Sequence, residues 1–186
     1  MMVRMLPPMK KLVFAADELY QNQRLDQLIH SYITSEYPNI EYERLVGKEE
    51  NSRRLQEYLL ADDPTTSILF STWFYERKNL FGSPTLISGD FQLVASSPQP
   101  VFALRGAYIN KAGFIGGHFY DQAELEQSLT NIIGQMLQGK EMRDIPFVYS
   151  KKSYPLVNYA QLELDELDAE LCPSNTIFLN KPLTFW

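Results

Sequence analysis

Three glycines within five residues, in the stretch GFIGGHFYD at 113–121, are the first candidate for chemistry. Glycine-rich loops that open helices bind phosphates, because their free N–H groups and the helix dipole point at the anion. This stretch reads G-x-x-G-G, follows no clear predicted strand, and matches neither G-x-G-x-x-G nor a Walker loop. We therefore interpret Gly113, Gly116 and Gly117 as conformational glycines at the start of a helix. Contact with a small ligand through bare backbone is the alternative.

Residues that catalyse reactions or hold metals are sparse in this sequence. The motif G-x-S-x-G is absent, and LFSTW stands where a phosphoacceptor receiver domain needs an aspartate after its third strand. His30 and His118 lack the spacing of a zinc site, and Cys172 is the single cysteine. We predict no cofactor, no metal and no enzymatic activity. A small α/β hydrolase, with either histidine beside a nucleophile, is the alternative from another functional class.

Six side chains that could contact a ligand follow three of the predicted strands. They are Asp17, Tyr20, Trp73, Tyr75, Arg105 and Tyr108. Ligands on parallel sheets bind at the carboxyl ends of the strands, where aromatic rings stack on ligands and an arginine holds a carboxylate. The alternatives are structural: a solvated strand end at Asp17, aromatic rings that cap the sheet or face a partner domain, and an ordinary ion pair at Arg105.

The predicted elements that would position these residues alternate between strands and helices. Apolar runs indicate strands at 11–18, 67–72, 99–104 and 144–150, and an extended piece at 175–182. The alternation of apolar and polar residues over 40–47 indicates an edge-like strand. Helical spacing and caps indicate helices over 20–36, from Asn51 or Ser52, weakly over 86–97, from the D-x-x-E box at Asp121 and Glu124 to Gly139, and in VNYAQLELDEL.

This alternation predicts the fold class. We expect an α/β domain at residues 10–186, preceded by a flexible segment at 1–9. Its sheet should be doubly wound and mostly parallel, with helices on both faces as in flavodoxin.

The composition excludes two classes of partner. The chain has 186 residues, a formal net charge of −6 and no cluster of Lys or Arg, so neither nucleic acid nor an anionic membrane surface is expected to bind it. No segment approaches the roughly 20 apolar residues that span a bilayer, and the N-terminus lacks the continuous apolar region of a signal peptide. Membrane attachment is therefore expected only through a segment outside this sequence.

The order of several motifs resembles a known family. ILFSTWFYER, SPQPVFAL, GFIGGHFYDQAELEQSLTNIIGQMLQGKEMRDIPF and VNYAQLELDELDAELCPSNTIFLNKPLTFW follow one another within residues 67–186. In this order they resemble the ABC-transporter substrate-binding-like family of the type I periplasmic binding protein superfamily. The resemblance is strongest to members that act as extracytoplasmic sensors of bacterial histidine kinases, including hybrid kinases. It implies one lobe of a two-lobed binding protein, here the second.

The resemblance implies a function as well as a fold. The expected role is a periplasmic, extracytoplasmic sensor domain of a two-component system. It would bind an unknown small molecule or partner protein and pass a conformational change through its C-terminal tail to a kinase. A homodimer is expected, because an isolated lobe leaves its cleft face open. The alternatives are the solute-binding component of an ABC-type uptake system and a dimerisation module without a small-molecule ligand.

Overall fold

Nine strands and six helices make up the described structure. The computed structural model describes residues 1–6, 8–78, 81–88, 91–146, 148 and 151–182. The strands are β1 (Lys11–Ala16), β2 (Glu41–Val46), β3 (Thr66–Phe70), β4 (Phe74–Lys78), β5 (Pro84–Ser88), β6 (Val101–Ala103), β7 (Phe114–Tyr120), β8 (Ser153–Asn158) and β9 (Ile177–Leu179). The helices are α1 (Met2–Met5), α2 (Tyr20–Glu36), α3 (Glu49–Leu60), α4 (Phe91–Ala95), α5 (Gln122–Leu137) and α6 (Tyr159–Leu164).

The main sheet has the strand order β2-β1-β3-β6-β7-β8-β9. Its neighbouring strands are parallel, except that β8 runs antiparallel to β7. The first five strands in this order follow the 2-1-3-4-5 order of flavodoxin. The chain adds β2 on one side of β1 and then, from β3 onward, adds strands on the other side. The predicted doubly wound, mostly parallel sheet is therefore confirmed. Strands β4 and β5 pair with each other as a separate antiparallel hairpin.

Alternating side chains bury both faces of the sheet. In β6, Val101 and Ala103 belong to a first core together with Leu55 and Leu59 of α3. Phe102 belongs to a second core, which includes residues of α1 and α6. Strands buried on both faces are continuous apolar runs, and the run LVFAA of β1 is of this kind. Helices thus lie on both faces, as predicted.

The N-terminal segment packs in the second core. The sequence predicts a flexible segment over residues 1–9, but α1 begins at Met2 and the side chains of Met5, Leu6 and Met9 are buried. Met5 Sδ lies 3.9 Å from Cys172 Sγ, which joins this first helix to the last part of the fold. The segment is too short for its periodicity to predict a helix, and its order comes from the apolar surface that it covers.

A hairpin takes the place of part of a predicted helix. The weak helical pattern over 86–97 is divided between β5 and α4, and the segment STWFYER continues into β4. Gly82, with a φ of +77°, lies between the two paired strands. The secondary structure of such short segments depends on a pairing partner elsewhere in the chain. Helical periodicity within the segment does not reveal that partner.

Two further predictions differ at their boundaries. Helix α3 begins at Glu49, before the predicted caps Asn51 and Ser52. The side chains of Asn51 and Ser52 donate instead to backbone carbonyls that precede the helix. The strand predicted at 144–150 lies partly outside the described residues, and Asp144 ends a short 3-10 turn.

Gly116 and Gly117 lie within β7, so their predicted position in a loop before a helix was wrong. A Cβ atom on Gly116 would lie 2.7 Å from the Leu156 carbonyl oxygen of β8, and one on Gly117 would overlap the Ala103 carbonyl of β6. Gly113, just before the strand, has a φ of +86°. Positive φ and close backbone packing therefore account for this glycine cluster, in agreement with the conformational interpretation.

Alanine at two glycines should change stability in opposite directions. Gly116→Ala should lower the free energy of unfolding by about 2 kcal/mol, because the new methyl group must displace the β8 backbone. Gly134→Ala in α5 should raise it by about 1 kcal/mol, because alanine favours the helix. Apart from its chain neighbours and the backbone of its own helix, no atom of the described residues lies within 4 Å of the Cβ position at Gly134. Urea unfolding measures both variants, and shifts in the same direction would contradict the structure.

Helix α5 begins at its predicted cap but is not buried. Asp121 Oδ1 accepts hydrogen bonds from the N–H groups of Ala123 and Glu124 at 2.9 and 3.2 Å. The Glu124 carboxylate accepts from the N–H groups of Lys151 and Lys152, which ties the first turn to the segment before β8. Along α5, however, no residue is buried, although its apolar spacing predicts a stripe that faces a core.

A half-buried acid lies where α6 meets the chain before β7. Gly113 donates its N–H to Gln161 Oε1, and Gln161 Nε2 donates to Asp165 Oδ1, both at 2.9 Å. Asp165 Oδ2 is buried without a hydrogen-bond partner among the described residues. Burial raises the pKa of Asp165 to about 6 from its ordinary 3.8, against the weaker lowering effect of the Gln161 hydrogen bond. The folded protein therefore disfavours the ionised carboxylate.

Stability should fall as pH rises through the folded-state pKa of Asp165. Between pH about 4 and about 6, the folded protein keeps a proton that the unfolded chain releases, so the free energy of unfolding falls across this range and levels off above pH about 6. Asp165→Asn should flatten this part of the profile and raise the free energy of unfolding at neutral pH. Urea unfolding across this range would compare it with Asp62→Asn, which changes an exposed aspartate. Identical profiles for both variants would contradict the assignment.

Candidate functional site

Three strand ends meet at the carboxyl edge of the sheet. The Asp17 N–H donates to the Thr72 carbonyl at 2.7 Å, and the Ser71 N–H donates to a β1 carbonyl at 2.9 Å. The loops after β1 and β3 therefore run side by side. The Leu104 N–H donates to a β3 carbonyl at 2.8 Å, which brings the end of β6 next to them. In open parallel sheets, ligands bind at this edge, where the strand order reverses.

Asn22 is buried and links two of these strand ends to α2. Its Nδ2 donates to Asp17 Oδ1 at 2.7 Å and to Thr72 Oγ1 at 2.9 Å, and its Oδ1 accepts from Ser71 Oγ at 2.8 Å. Asp17 Oδ1 also accepts from the Leu19 N–H at 3.0 Å. These bonds hold the first turn of α2 against the ends of β1 and β3.

Two charged side chains at this edge each have a buried polar atom with bonding capacity left over. Asp17 is 2% exposed. Its Oδ2 and the Nε of Arg105 are buried without a hydrogen-bond partner in the part of the chain that the structure describes. Such groups are rare, because burial removes their hydration without replacing it. A carboxylate oxygen accepts hydrogen bonds and a guanidinium N–H donates them, so the edge is suited to a ligand that carries both a donor and an acceptor.

Tyr108 lies within the electrostatic reach of both charged groups. Burial is the main reason that the pKa of its hydroxyl is raised, while Arg105 acts to lower this pKa and Asp17 to raise it. The Tyr108 ring packs edge-on against Phe70, with ring centroids 6.1 Å apart, and stacks on Phe114, with ring centroids 5.5 Å apart. The structure thus brings three of the six predicted site residues, Asp17, Arg105 and Tyr108, to one place.

The other three predicted residues have different surroundings. Trp73 is buried in the first core, so its ring supports the sheet and is not presented at the strand mouth as predicted. Tyr75, in β4, packs against the same core while partly exposed. Tyr20 is 77% exposed at the start of α2. The sequence STWFYER marks the strand end correctly, but it does not show which rings turn inward.

Asn22 is the main site residue that the sequence interpretation missed. A signal for it was present in the helical pattern. Asn22 lies about one turn before Leu25 and two turns before Ile29, which places an amide on the apolar face of α2. A polar side chain on the buried face of a first turn needs internal hydrogen bonds, and here it finds them at the strand ends.

Two cavities flank the loop that carries Arg105. An open groove of about 980 Å³ lies between α2 and α5, with Leu104, Gly106 and Ala107 in its wall. A cavity of about 550 Å³ with a mostly apolar lining lies between α1, α2 and the sheet. Both are lined in part by His118. The lining of the groove includes the sequence neighbours of Arg105, but not Asp17, Arg105 or Tyr108 themselves.

Residues that could bind a metal ion do not cluster in the part of the chain that the structure describes. No group of three or more His, Cys, Asp or Glu side chains in those residues is placed to hold a metal ion. His30 stacks on Tyr42 with ring centroids 5.2 Å apart, and His118 is exposed at the groove. No helix in the described part of the chain has both the length and the apolar character needed to cross a bilayer.

Comparisons by sequence identify no relative of this chain. No protein-family model matches it, and no curated protein matches it. The fold, by contrast, is similar to that of several solved structures. A conserved domain protein from Vibrio cholerae matches with a TM-score of 0.67 and 13% identity, over 95% of this chain and 57% of that one.

Two further solved structures have a similar fold. An ABC domain in complex with L-Trp from Streptococcus pneumoniae matches with a TM-score of 0.63 and 16% identity, over 89% of this chain and 55% of that one. An open, ligand-free substrate-binding protein with adhesive properties from Clostridium difficile matches with a TM-score of 0.60 and 11% identity, over 96% and 57%. This chain shares their fold. It spans a little over half of each protein's length. Sequence identities this low show only that the folds are similar.

Replacing Asn22 should destabilise the folded protein. Asn22→Leu keeps the size of the side chain but leaves buried oxygens of Asp17, Ser71 and Thr72 with one hydrogen bond fewer each. We expect a loss of about 3 kcal/mol in the free energy of unfolding. Gln21→Leu, an exposed neighbour on the same helix, should change it by less than about 0.5 kcal/mol. Urea unfolding would compare the two variants, and similar midpoints would contradict the importance of the network.

Proposed function

We propose that this chain is a non-enzymatic ligand-binding lobe whose site lies at the carboxyl edge of β1, β3 and β6. The observation that carries the proposal is the buried Asp17 carboxylate with Oδ2 unpartnered among the described residues. Arg105 Nε, at the same edge, is also buried without a hydrogen-bond partner among these residues. A ligand that bonds to both groups would give a physical reason for retaining them at a cost in stability.

The two charged groups favour a zwitterionic ligand such as an amino acid. An ammonium group would donate to Asp17 Oδ2, and a carboxylate would accept from Arg105. The side chain of the ligand would extend toward the groove beside residues 104–107. The structure from Streptococcus pneumoniae contains L-Trp, which makes aromatic amino acids the first ligands to test.

Binding should require both charges of the amino acid. We expect L-tryptophan or another L-amino acid, at millimolar concentration, to raise the melting temperature of this chain. Tryptamine lacks the carboxylate and indole-3-propionate lacks the ammonium group, so both should fail to do so. A melting temperature unchanged by all common L-amino acids would contradict the ligand class.

Two substitutions test the site itself. Asp17→Asn retains an acceptor for Leu19 and Asn22 but removes the free carboxylate oxygen, so affinity should fall at least about tenfold while the ligand-free protein stays folded. Arg105→Gln should act similarly. Arg77→Gln is its matched control, because Arg77 is exposed and pairs with Glu49 at 3.0 Å. Calorimetric titration measures the affinities, and equal effects at Arg77 and Arg105 would contradict the site.

We infer further that ligand binding serves a sensor. In this role the lobe is the extracytoplasmic domain of a two-component histidine kinase, and the ligand shifts the population between two arrangements that the C-terminal tail transmits. The order of motifs over residues 67–186 supports this role. The second candidate is the solute-binding component of an ABC-type uptake system, which the substrate-binding protein from Clostridium difficile favours.

The coding sequence on either side of this chain would distinguish the sensor role from the uptake role. A transmembrane helix and a kinase domain in the same reading frame would support the sensor. An export signal beside permease genes, with no kinase in frame, would support uptake. Ligand binding by this lobe is common to both, so this comparison does not bear on the binding site.

A further inference from the structure

The apolar face of α5 is exposed along its whole length. Leu125, Leu129, Ile133, Met136 and Leu137 are between 41% and 84% exposed, and no residue of the helix is buried. An α-helix in a protein gains most of its stability by burying such a face, and a helix of this length is marginal by itself in water. A partner that covers this face would therefore complete the helix.

The surface of α5 has the composition of an interface. From residue 127 to residue 139 the sequence contains no charged side chain on any side of the helix. The exposed apolar residues present roughly 500 Å², near the upper limit of apolar patches on monomers. The patch continues from Leu125 and Leu129 across the open groove to Leu25 and Leu156. This continuation extends the apolar area toward the ~800 Å² that each partner buries in a stable complex.

The apolar pattern of α5 is complementary to itself when reversed. Leu129 and Ile133 flank residue 131 at equal distances along the chain, and so do Leu125 and Leu137. A two-fold axis at the level of residue 131 would therefore place Leu129 against Ile133 of a second copy and Leu125 against its Leu137. Residues related in this way form the layers of an antiparallel helix pair.

The charges at the two ends of this face favour the same arrangement. Glu126 lies in α5 just before the uncharged stretch, and Lys140 lies just after it, three residues beyond the end of the helix at Leu137. In the antiparallel pair, the end of α5 that carries Glu126 lies beside the end of the other copy's helix, which Lys140 follows. A parallel pair would instead oppose like charges. In the single copy, Lys140 Nζ donates to the neutral Gln135 side chain at 2.9 Å.

We propose that this chain forms a symmetric homodimer in which α5 packs antiparallel against α5 of a second copy, along the edge of the groove. The apolar stripe supplies the contact area, and the paired ends set the orientation. This proposal does not depend on ligand binding at the carboxyl edge.

Sedimentation equilibrium of the purified chain tests the dimer. We expect a dimer at micromolar concentration, and Ile133→Glu should raise its dissociation constant at least about tenfold by placing a charge in the apolar seam. Leu164→Glu is the matched control, because Leu164 is 76% exposed on α6 and should leave the dimer intact. Circular dichroism should show that both variants remain folded.

Charge reversal tests the antiparallel orientation. Glu126→Lys or Lys140→Glu alone should weaken the dimer, and both changes in one chain should restore it, because each acid again faces a base. Failure of the double variant to recover would overturn the proposed orientation. A dimer insensitive to Ile133→Glu, or a wild type that stays monomeric up to about 100 µM, would overturn the proposal and leave α5 to a different partner.

Discussion

The buried amide of Asn22 is the interaction on which the carboxyl edge of this protein depends. It joins α2, the end of β1 and the end of β3 through hydrogen bonds to Asp17, Thr72 and Ser71. Each of these groups is buried, so each bond is made in a medium where its loss is costly. The network also uses one Asp17 oxygen and leaves the other buried without a partner among the described residues. One side chain therefore both stabilises the edge and leaves an Asp17 oxygen available for the proposed ligand.

The chain leaves two surfaces incomplete, and they differ in kind. At the carboxyl edge, Asp17 and Arg105 each retain a directional bonding position, which would select the proposed ligand by the placement of its donors and acceptors. Along α5, the incomplete surface is apolar and non-directional, so it favours a large complementary face. The groove between α2 and α5 is lined by Leu125 and Leu129 and, near the carboxyl edge, by Leu104, Gly106 and Ala107.

Close backbone packing in the middle of the sheet supports this arrangement. β7 approaches β6 and β8 at Gly116 and Gly117, where side chains would collide with backbone carbonyls. It is also the strand that leads into α5 through the Asp121 cap. The position of α5 therefore follows from the path of β7. The same path sets the wall of the groove, where His118 and Tyr120 lie.

The amino-acid sequence by itself determined the features that depend on local pattern. Apolar runs placed β1 and β3, helical spacing placed α2 over 20–36, and Asp121 marked the start of α5. The alternation of these elements was enough for the doubly wound sheet. Position after a strand also selected Asp17, Arg105 and Tyr108, because carboxyl ends of parallel strands meet at one edge.

Only the tertiary structure decided the features that depend on distant partners. The glycines of β7 need neighbouring strands, the β4–β5 hairpin needs pairing across a turn, and Trp73 turns inward because a core lies there. The bonds of Asn22 span about fifty residues to Ser71 and Thr72. Local periodicity reports how a segment can bury its own surface. It does not report which remote backbone or side chain will meet that surface, and those contacts decide the site.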